Sequence, residues 1–310
     1  MDQVRILSIL AAGCLLPSAV VGAAAQVDST APRSLTRTVD YEPFWSPDGG
    51  RIVFVSNRAG RFNVHTMRAG GGDVRRVTRG PGPDDTPSWS PDGRRIAFVS
   101  EQDGNPEVYV VNADGTGLRR LTRDPGLDLH PVWSPDGRRI LFNSSRRSRD
   151  AADPETIELW SMTPDGGDAR PLTEGGIVTY GSWSPDGATI LARRSAGEGR
   201  SEIVLLPGGG GAPRAVAPSG AFDGWPSWAP DGRSIVFASD REGSFRIYRM
   251  DTDGGGLRRL TTGEGRYTNP RWSPDGRTLL YTGRCAEEGD VEIFALATRD
   301  APTRGGPRGR

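Results

Sequence analysis

The sequence predicts an all-β fold: a six-bladed β-propeller of four-stranded antiparallel blades, its ring closed by an N-terminal strand that completes the last blade. Three observations predict it. The pentad Trp-Ser-Pro-Asp-Gly stands at residues 45–49, 89–93, 133–137, 183–187 and 272–276, and again at 228–232 with Ala229 in place of Ser. The motif tryptophans are 44, 44, 50, 45 and 44 residues apart, the period of a propeller blade. A second motif, of the form Arg-x-Leu-Thr, closes the first five repeats at 75–78, 119–122, 170–173, 214–217 and 258–261, and stands once ahead of them all at 33–36.

The pentad is a turn. Proline presets φ at its second position, Asp tolerates the third and Gly supplies a left-handed fourth, which makes a type I turn closing with a bulge. Each pentad therefore joins two strands of a hairpin. In the second repeat, strand a runs through 87–89, strand b over 95–100, strand c over 107–112 and strand d over 118–122. Strand b recurs at 51–55, 139–142, 189–192, 234–238 and 278–281, rich in the β-branched and aromatic residues that suit a half-buried pleated surface. Glycine also marks the c–d turn, at Asp114-Gly115 and Asp253-Gly254.

A single blade cannot stand alone. Ordering ~44 residues costs on the order of 60 kcal/mol, and one small twisted sheet leaves both faces wet. Stacking buries those faces, and Trp45, Trp89, Trp133, Trp183, Trp228 and Trp272 are the natural wedges between blades, a structural role. The sixth repeat, through 272, 278–281 and 291–296, ends without an Arg-x-Leu-Thr strand, and residues 33–36 supply it. Pairing first strand with last blade leaves no open edge. The propeller then spans residues 33–297.

Ahead of it, Arg5, an apolar run over 6–22 and Ala23-Ala24-Ala25 read as a secretory signal, residues 1–25, followed by a linker over 26–32. A secreted or periplasmic chain without a membrane span is expected after cleavage. Pro17 argues against an uncleaved anchor, and lipidation at Cys14 stays open, because Leu10-Ala11-Ala12-Gly13-Cys14 half matches the attachment pattern. Residues 298–310, mostly Gly, Pro and Arg, are expected to form a disordered tail.

Charge selects no partner class: 39 basic residues, all Arg, balance 39 acidic ones. Scattered over repeat-equivalent positions, these arginines read as a solvated surface rather than an RNA-binding stripe. With Cys14 removed, Cys285 is a lone thiol and no disulfide framework exists. It has no histidine near it in the repeat frame, which disfavours thiol catalysis.

Pro two residues before the Trp, W-S-P-D-G, an I-x-F strand and a closing R-R-L-T together resemble the repeat of the TolB-like β-propeller family across all six blades. The secretory signal and the N-terminal closing strand resemble it as well. The resemblance covers the propeller portion only, without the α/β domain that precedes it in TolB. It implies a non-catalytic, periplasmic module that binds a protein or peptide in the cell envelope, with a Pal-like lipoprotein as the partner. A monomer is expected. Prolyl oligopeptidase-type enzymes carry similar propellers, but no G-x-S-x-G elbow occurs in this chain.

In an up-down meander the pentad turns share one end of the ring with the c–d turns, and the b–c and d–a connections share the other. The second end holds what varies between repeats, which is where recognition is expected. Three residues before each motif Trp stand Glu42, Thr86, His130, Tyr180, Trp225 and Asn269; five before stand Asp40, Asp84, Asp128, Val178, Asp223 and Tyr267. Both rings are expected to border the tunnel mouth. The partner-binding set is therefore Glu42, Thr86, His130, Tyr180, Trp225, Tyr267 and Asn269, with Tyr180, Trp225 and Tyr267 grouped as aromatic anchors. Asp40, Glu42, Asp84, Asp85 and Asp128 form an acidic side, or else satisfy backbone groups where strands begin. The blade-three b–c loop, with Arg146, Arg147, Arg149, Asp150 and Asp153, is the one long insertion, and a solvated loop is its simpler reading.

No catalytic set is expected. The alternative is a Ca²⁺-assisted lactonase or esterase with its site at the tunnel mouth, for which Glu42, Asp84, Asp128 and Asn269 are the candidate hard-oxygen ligands. Otherwise no cofactor is expected. His65 and His130 are the only histidines, too few for a poly-His metal site, and His65 reads as an ordinary strand residue.

Overall fold

A computed structural model describes residues 32–36, 38–148, 150, 156–263, 265–284 and 290–298. The signal segment with Cys14, nearly all of the linker, Arg149, Asp153, Cys285 and the tail beyond Thr298 lie outside the described residues. Blade 1 contains β2 (Asp40–Trp45), β3 (Arg51–Ser56), β4 (Asn63–Arg68) and β5 (Arg75–Arg76), following β1 (Arg33–Ser34). Blade 2 contains β6 (Asp84–Trp89), β7 (Arg95–Ser100), β8 (Glu107–Asn112) and β9 (Arg119–Arg120). Blade 3 contains β10 (Asp128–Trp133), β11 (Ile140–Ser144), β12 (Glu158–Met162) and β13 (Arg170–Pro171). Blade 4 contains β14 (Val178–Trp183), β15 (Thr189–Gly197), β16 (Arg200–Pro207) and β17 (Arg214–Ala215). Blade 5 contains β18 (Asp223–Trp228), β19 (Ser234–Ser239), β20 (Arg246–Asp251) and β21 (Arg258–Arg259). Blade 6 contains β22 (Arg266–Trp272), β23 (Thr278–Arg284) and β24 (Glu292–Ala297), and β1 is its fourth strand. No helix of the described residues is long and apolar enough to cross a membrane.

The closing strand repeats the geometry of the others in detail. In blades 1, 2, 3 and 5 a Thr hydroxyl just past the fourth strand accepts the N–H of Val64, Val108, Leu159 or Ile247 at 2.9–3.0 Å. Thr36 accepts the N–H of Ile293 in the same way at 3.1 Å. Leu35 N–H donates to the Ile293 carbonyl at 2.8 Å, as Val77 N–H does to Val64 at 2.9 Å. The fourth strands pair over two residues each, shorter than the 118–122 expectation, because the hydroxyl takes over where the ladder ends.

Each core layer lies between two blades. Trp89 packs with Val53, Val64 and Val77 of blade 1, and Trp133 with Ala97, Val108 and Val110 of blade 2. Trp45 crosses the closure, sharing a cluster with Leu280, Ile293 and Ala295. Burying such faces at about 25 cal/mol per Å² is what makes the ring stable where a blade is not. The pentad turns satisfy themselves: Ser46 Oγ donates to Asp48 at 2.6 Å and accepts Arg51 N–H at 2.8 Å, and Gly49 sits at φ 70°. Ser90, Ser134, Ser184 and Ser273 repeat the bond to their Asp at 2.5–2.6 Å, and Ala229 has no hydroxyl to do so.

One expectation here needs correction. The first strand of each blade is longer than 87–89 suggests, running six residues from Asp84 in blade 2. The blade-three connection between Ser144 and Glu158 is the long insertion, as expected. In blade 4, Thr189–Gly197 and Arg200–Pro207 pair into a longer hairpin within an ordinary repeat length, which spacing alone does not reveal.

Candidate functional site

Every first strand carries the same irregularity at the same place. Tyr41 pairs with Val55 and Phe44 with Val53, so Glu42 and Pro43 together oppose Phe54. The cause is local. The residue two before the Trp is Pro43, Pro87, Pro131, Pro226 or Pro270, which has no N–H for the ladder, and Gly181 in blade 4. The residue before it takes a left-handed conformation in all six blades: Glu42 φ 51°, Thr86 45°, His130 51°, Tyr180 54°, Trp225 49° and Asn269 54°. Such a conformation costs a non-glycine residue about 1–2 kcal/mol. Six repetitions of that strain set one ring of chemically different side chains around the waist of the tunnel.

At the waist, Asn269 Nδ2 donates to Glu42 Oε1 at 2.5 Å, joining blade 6 to blade 1. Burial pushes the Glu42 carboxyl up, opposed by the Arg271 charge and the Asn269 bond. His130 Nδ1 donates to Asn143 Oδ1 at 3.0 Å, its ring lies 4.0 Å from Tyr180, and burial lowers its pKa to about 4. Tyr180 Oη is pushed up by burial and by Glu42. Trp225 lies 5.8 Å from Tyr180 and 5.3–5.4 Å from Phe222 and Phe245. Thr86 completes the ring with a buried hydroxyl that makes no bond among the described residues.

The bulge turns most of the outer ring away. Asp40, Asp128, Val178, Asp223 and Tyr267 are at most 9 % exposed within the blades, and only Asp84, 1 % exposed, also borders the cavity at the mouth, so the six do not frame it together as expected. Three of these acids are held by arginines: Asp40 by Arg58 at 2.8 Å, Asp128 by Arg146 at 3.0 Å and Asp223 by Arg241 at 2.9 Å. Burial still raises Asp128 to about 6 against the pull of Arg146. Tyr267 lies edge-on to Tyr281 at 5.4 Å in the core between blades 5 and 6, against which Trp225 and Phe245 pack. His65 is a buried strand residue whose Nδ1 meets the Asn63 carbonyl at 3.0 Å.

The four candidate metal ligands are divided by the same bulge. Glu42 and Asn269 meet at the waist, Asp128 is engaged by Arg146, and Asp84 is bonded by Thr78 and Asn63. Among the described residues no three His, Cys, Asp or Glu side chains gather as a metal set.

Above the waist, at the variable end, a cavity of about 570 Å³ opens between blades 1–2 and blades 5–6. Its walls include Tyr41, Phe62, Asp85, Glu101, Trp225 and Arg266. Burial and the nearby Glu42, Glu101 and Asp84 raise Asp85 to about 7. Tyr41 and Phe62 meet edge to face at 5.5 Å, and Arg266 lies over Phe245 at 4.5 Å. Sequence reasoning missed Tyr41, Phe62, Glu101 and Arg266. The proline two before each Trp was the available signal, since a bulge there moves the residue four before the Trp to the mouth. At the opposite end a smaller cavity, about 270 Å³, is walled by the motif tryptophans and prolines.

Four likenesses to known proteins bear on the whole. The model of the TolB beta propeller domain matches residues 79–198 and 173–303. The Tol-Pal system protein TolB of Bordetella pertussis is 45% identical over 56 residues, 18% of this chain and 13% of that protein, so the match spans a small part of its length. The structure of a putative TolB from Agrobacterium tumefaciens is similar with a TM-score of 0.67 and 25% identity, covering 85% of this chain and 91% of that one. A gluconolactonase from Xanthomonas campestris is similar with a TM-score of 0.62 over 86% of this chain and 88% of its own, at 19% identity, a likeness of fold alone. The chain belongs to the TolB β-propeller family.

Proposed function

We propose that the protein is a non-catalytic TolB-like propeller of the cell envelope that binds a protein or peptide at the variable mouth of its ring. The observation that carries this reading is the mouth cavity, about 570 Å³, at the one end where the repeats differ. Tyr41, Phe62 and Trp225 give it rigid aromatic area of the kind that anchors partners. The Bordetella relative is named for the Tol-Pal system, which supports a periplasmic address and a Pal-like lipoprotein as the partner sought first.

A Ca²⁺-assisted hydrolase is the second reading, favoured by the closeness of Glu42 and Asn269 at the waist, two side chains that carry hard oxygens, although Asn269 here turns its amide nitrogen to Glu42. Against it, the Arg271 charge already acts on Glu42.

The test is a pull-down from detergent-solubilised envelope with the chain from Gln26, with and without chelator, beside a Tyr180→Ala/Trp225→Ala variant. A partner held by the parent chain and lost from the variant supports the binding module. A partner held equally by both moves the site elsewhere. No partner, with a large chelator-induced fall in Tm, supports the metal reading and leads to a screen of lactones and esters.

A further inference from the structure

Blades 1, 3 and 5 share a device that blade 2 lacks. Two residues beyond the second strand stands Arg58, Arg146 or Arg241, and each reaches back to the buried Asp of its own blade at 2.8–3.0 Å. Each guanidinium also lies 5.2–5.3 Å from the strand's Phe ring, Phe54, Phe142 or Phe237. Blade 2 has Gln102 at this position. Its backbone follows the same path: Gln102 N–H donates to Ser100 Oγ at 3.4 Å, as Arg58, Arg146 and Arg241 donate to their serines at 3.2–3.3 Å. Only the cation is missing.

The carboxylates it would serve remain. Asp84 is 1 % exposed, and both of its hydrogen bonds, from Thr78 Oγ1 and Asn63 Nδ2, end on Oδ2; Oδ1 takes none from the described residues. Asp85 Oδ1 accepts its neighbour's N–H, from Thr86, at 2.7 Å. Neither of these, nor Glu101, forms an ion pair among the described residues, and all three line the mouth cavity. Asp84 is buried, Asp85 half-buried and Glu101 exposed at the rim. A buried carboxylate without a counter-charge is costly, and the other three blades show how this fold neutralises it.

We propose that the mouth cavity binds a basic side chain of the partner, a guanidinium above all, in the place beside Asp84, Asp85 and Glu101 that blade 2 leaves without its own arginine. This rests on the reading of the mouth as the binding face. A planar guanidinium can serve two carboxylates at once through its fork of donors, which an ammonium cannot do as well. Tyr41 and Phe62 flank the same wall and suit a cation over aromatic faces. On the opposite, blade 6 wall stand Arg266 and Arg284, cross-strand neighbours, so the acidic and basic walls of the cavity face each other.

The probes are N-acetyl-argininamide and its neutral isostere N-acetyl-citrullinamide, titrated against the chain from Gln26 and followed by calorimetry. The parent chain is expected to bind the arginine probe at least about tenfold tighter than the citrulline probe, and Asp85→Asn to lose about tenfold of that. Gln102→Arg supplies the missing cation from within; it is expected to raise Tm and to abolish binding of the probe. Equal affinity for the two probes, no saturable binding at millimolar concentration, or a Gln102→Arg chain that is more stable yet binds unchanged would each overturn the proposal. Partner capture that depends on Trp225 without any arginine preference would overturn this inference and leave the binding module standing. Arginine binding without any envelope partner would do the reverse.

Discussion

The two ends of the ring are built from the same strands and differ in what they leave unfinished. At the turn end, five of six pentads close on themselves, with Ser donating to Asp at 2.5–2.6 Å and that Asp held below the usual carboxylate range by this bond first of all. At the mouth end, Asp85 is raised to about 7, Thr86 has an unbonded buried hydroxyl, and Gln102 stands where three other blades use Arg. The pentad turns satisfy their own hydroxyls and carboxylates, although the buried indole N–H groups of Trp89, Trp133, Trp183 and Trp272 beside them make no bond among the described residues, whereas the varied end leaves a carboxylate and a hydroxyl unmatched. On the proposed reading, stability and recognition fall at opposite ends of one tunnel, and substitutions should separate them.

The largest separation is expected between two tryptophans. Trp89→Ala empties a wedge between blades and should lower stability by about 3–5 kcal/mol in urea unfolding. Trp225→Ala, partly exposed at the waist, should cost far less and abolish partner capture. If Trp225→Ala destabilises as much as Trp89→Ala, the division between the ends fails.

Next comes pH. Because Asp85 holds its proton up to about 7 when folded and releases it near the ordinary carboxylate value when unfolded, the folded chain binds the extra proton between those limits. Stability should therefore fall as pH rises from about 4 to 7, by roughly 1–3 kcal/mol from this group, after allowing for its contact with the cavity. Asp85→Asn should flatten that slope. Tyr41, Glu42, Asp84 and Glu101 are the other groups acting on or beside it. The pentad Asp residues have the opposite sign: Asp48 and its equivalents add stability that is lost as pH falls through their lowered pKa.

A smaller effect sharpens the account of the strained ring. Thr86 is β-branched at φ 45°, whereas Asn269 holds the equivalent place with a residue that tolerates it. Thr86→Asn should stabilise by about 1 kcal/mol, measured by the urea midpoint. Smallest is Ala229→Ser, which restores the sixth pentad and should add about 0.5 kcal/mol. No gain there would mean that the hydroxyl bonds do not set the stability of the turn end.

The fold was legible because it was written six times. The pentad fixed turn and register, and Arg33-Ser34-Leu35-Thr36 announced the closing strand by matching the end of each repeat. The site was legible in part. Counting three back from each Trp finds the waist ring, since every blade bends there alike. Counting five back fails, because the bulge at Pro or Gly shifts the parity of the strand and sends Asp40, Asp128, Asp223 and Tyr267 into the blades. The mouth's basic wall was hidden for another reason. Arg266 and Arg284 meet only through cross-strand pairing in blade 6, which no repeat position marks.

The central claim is that the mouth end binds and the turn end does not. Its most direct measurement is photo-crosslinking in intact envelope, with a benzoylphenylalanine placed at Glu101 of the mouth in one chain and at Asp92 of the second pentad in another. The account predicts a discrete adduct from the Glu101 position and none from the Asp92 position. An adduct from Asp92 with none from Glu101 would contradict it.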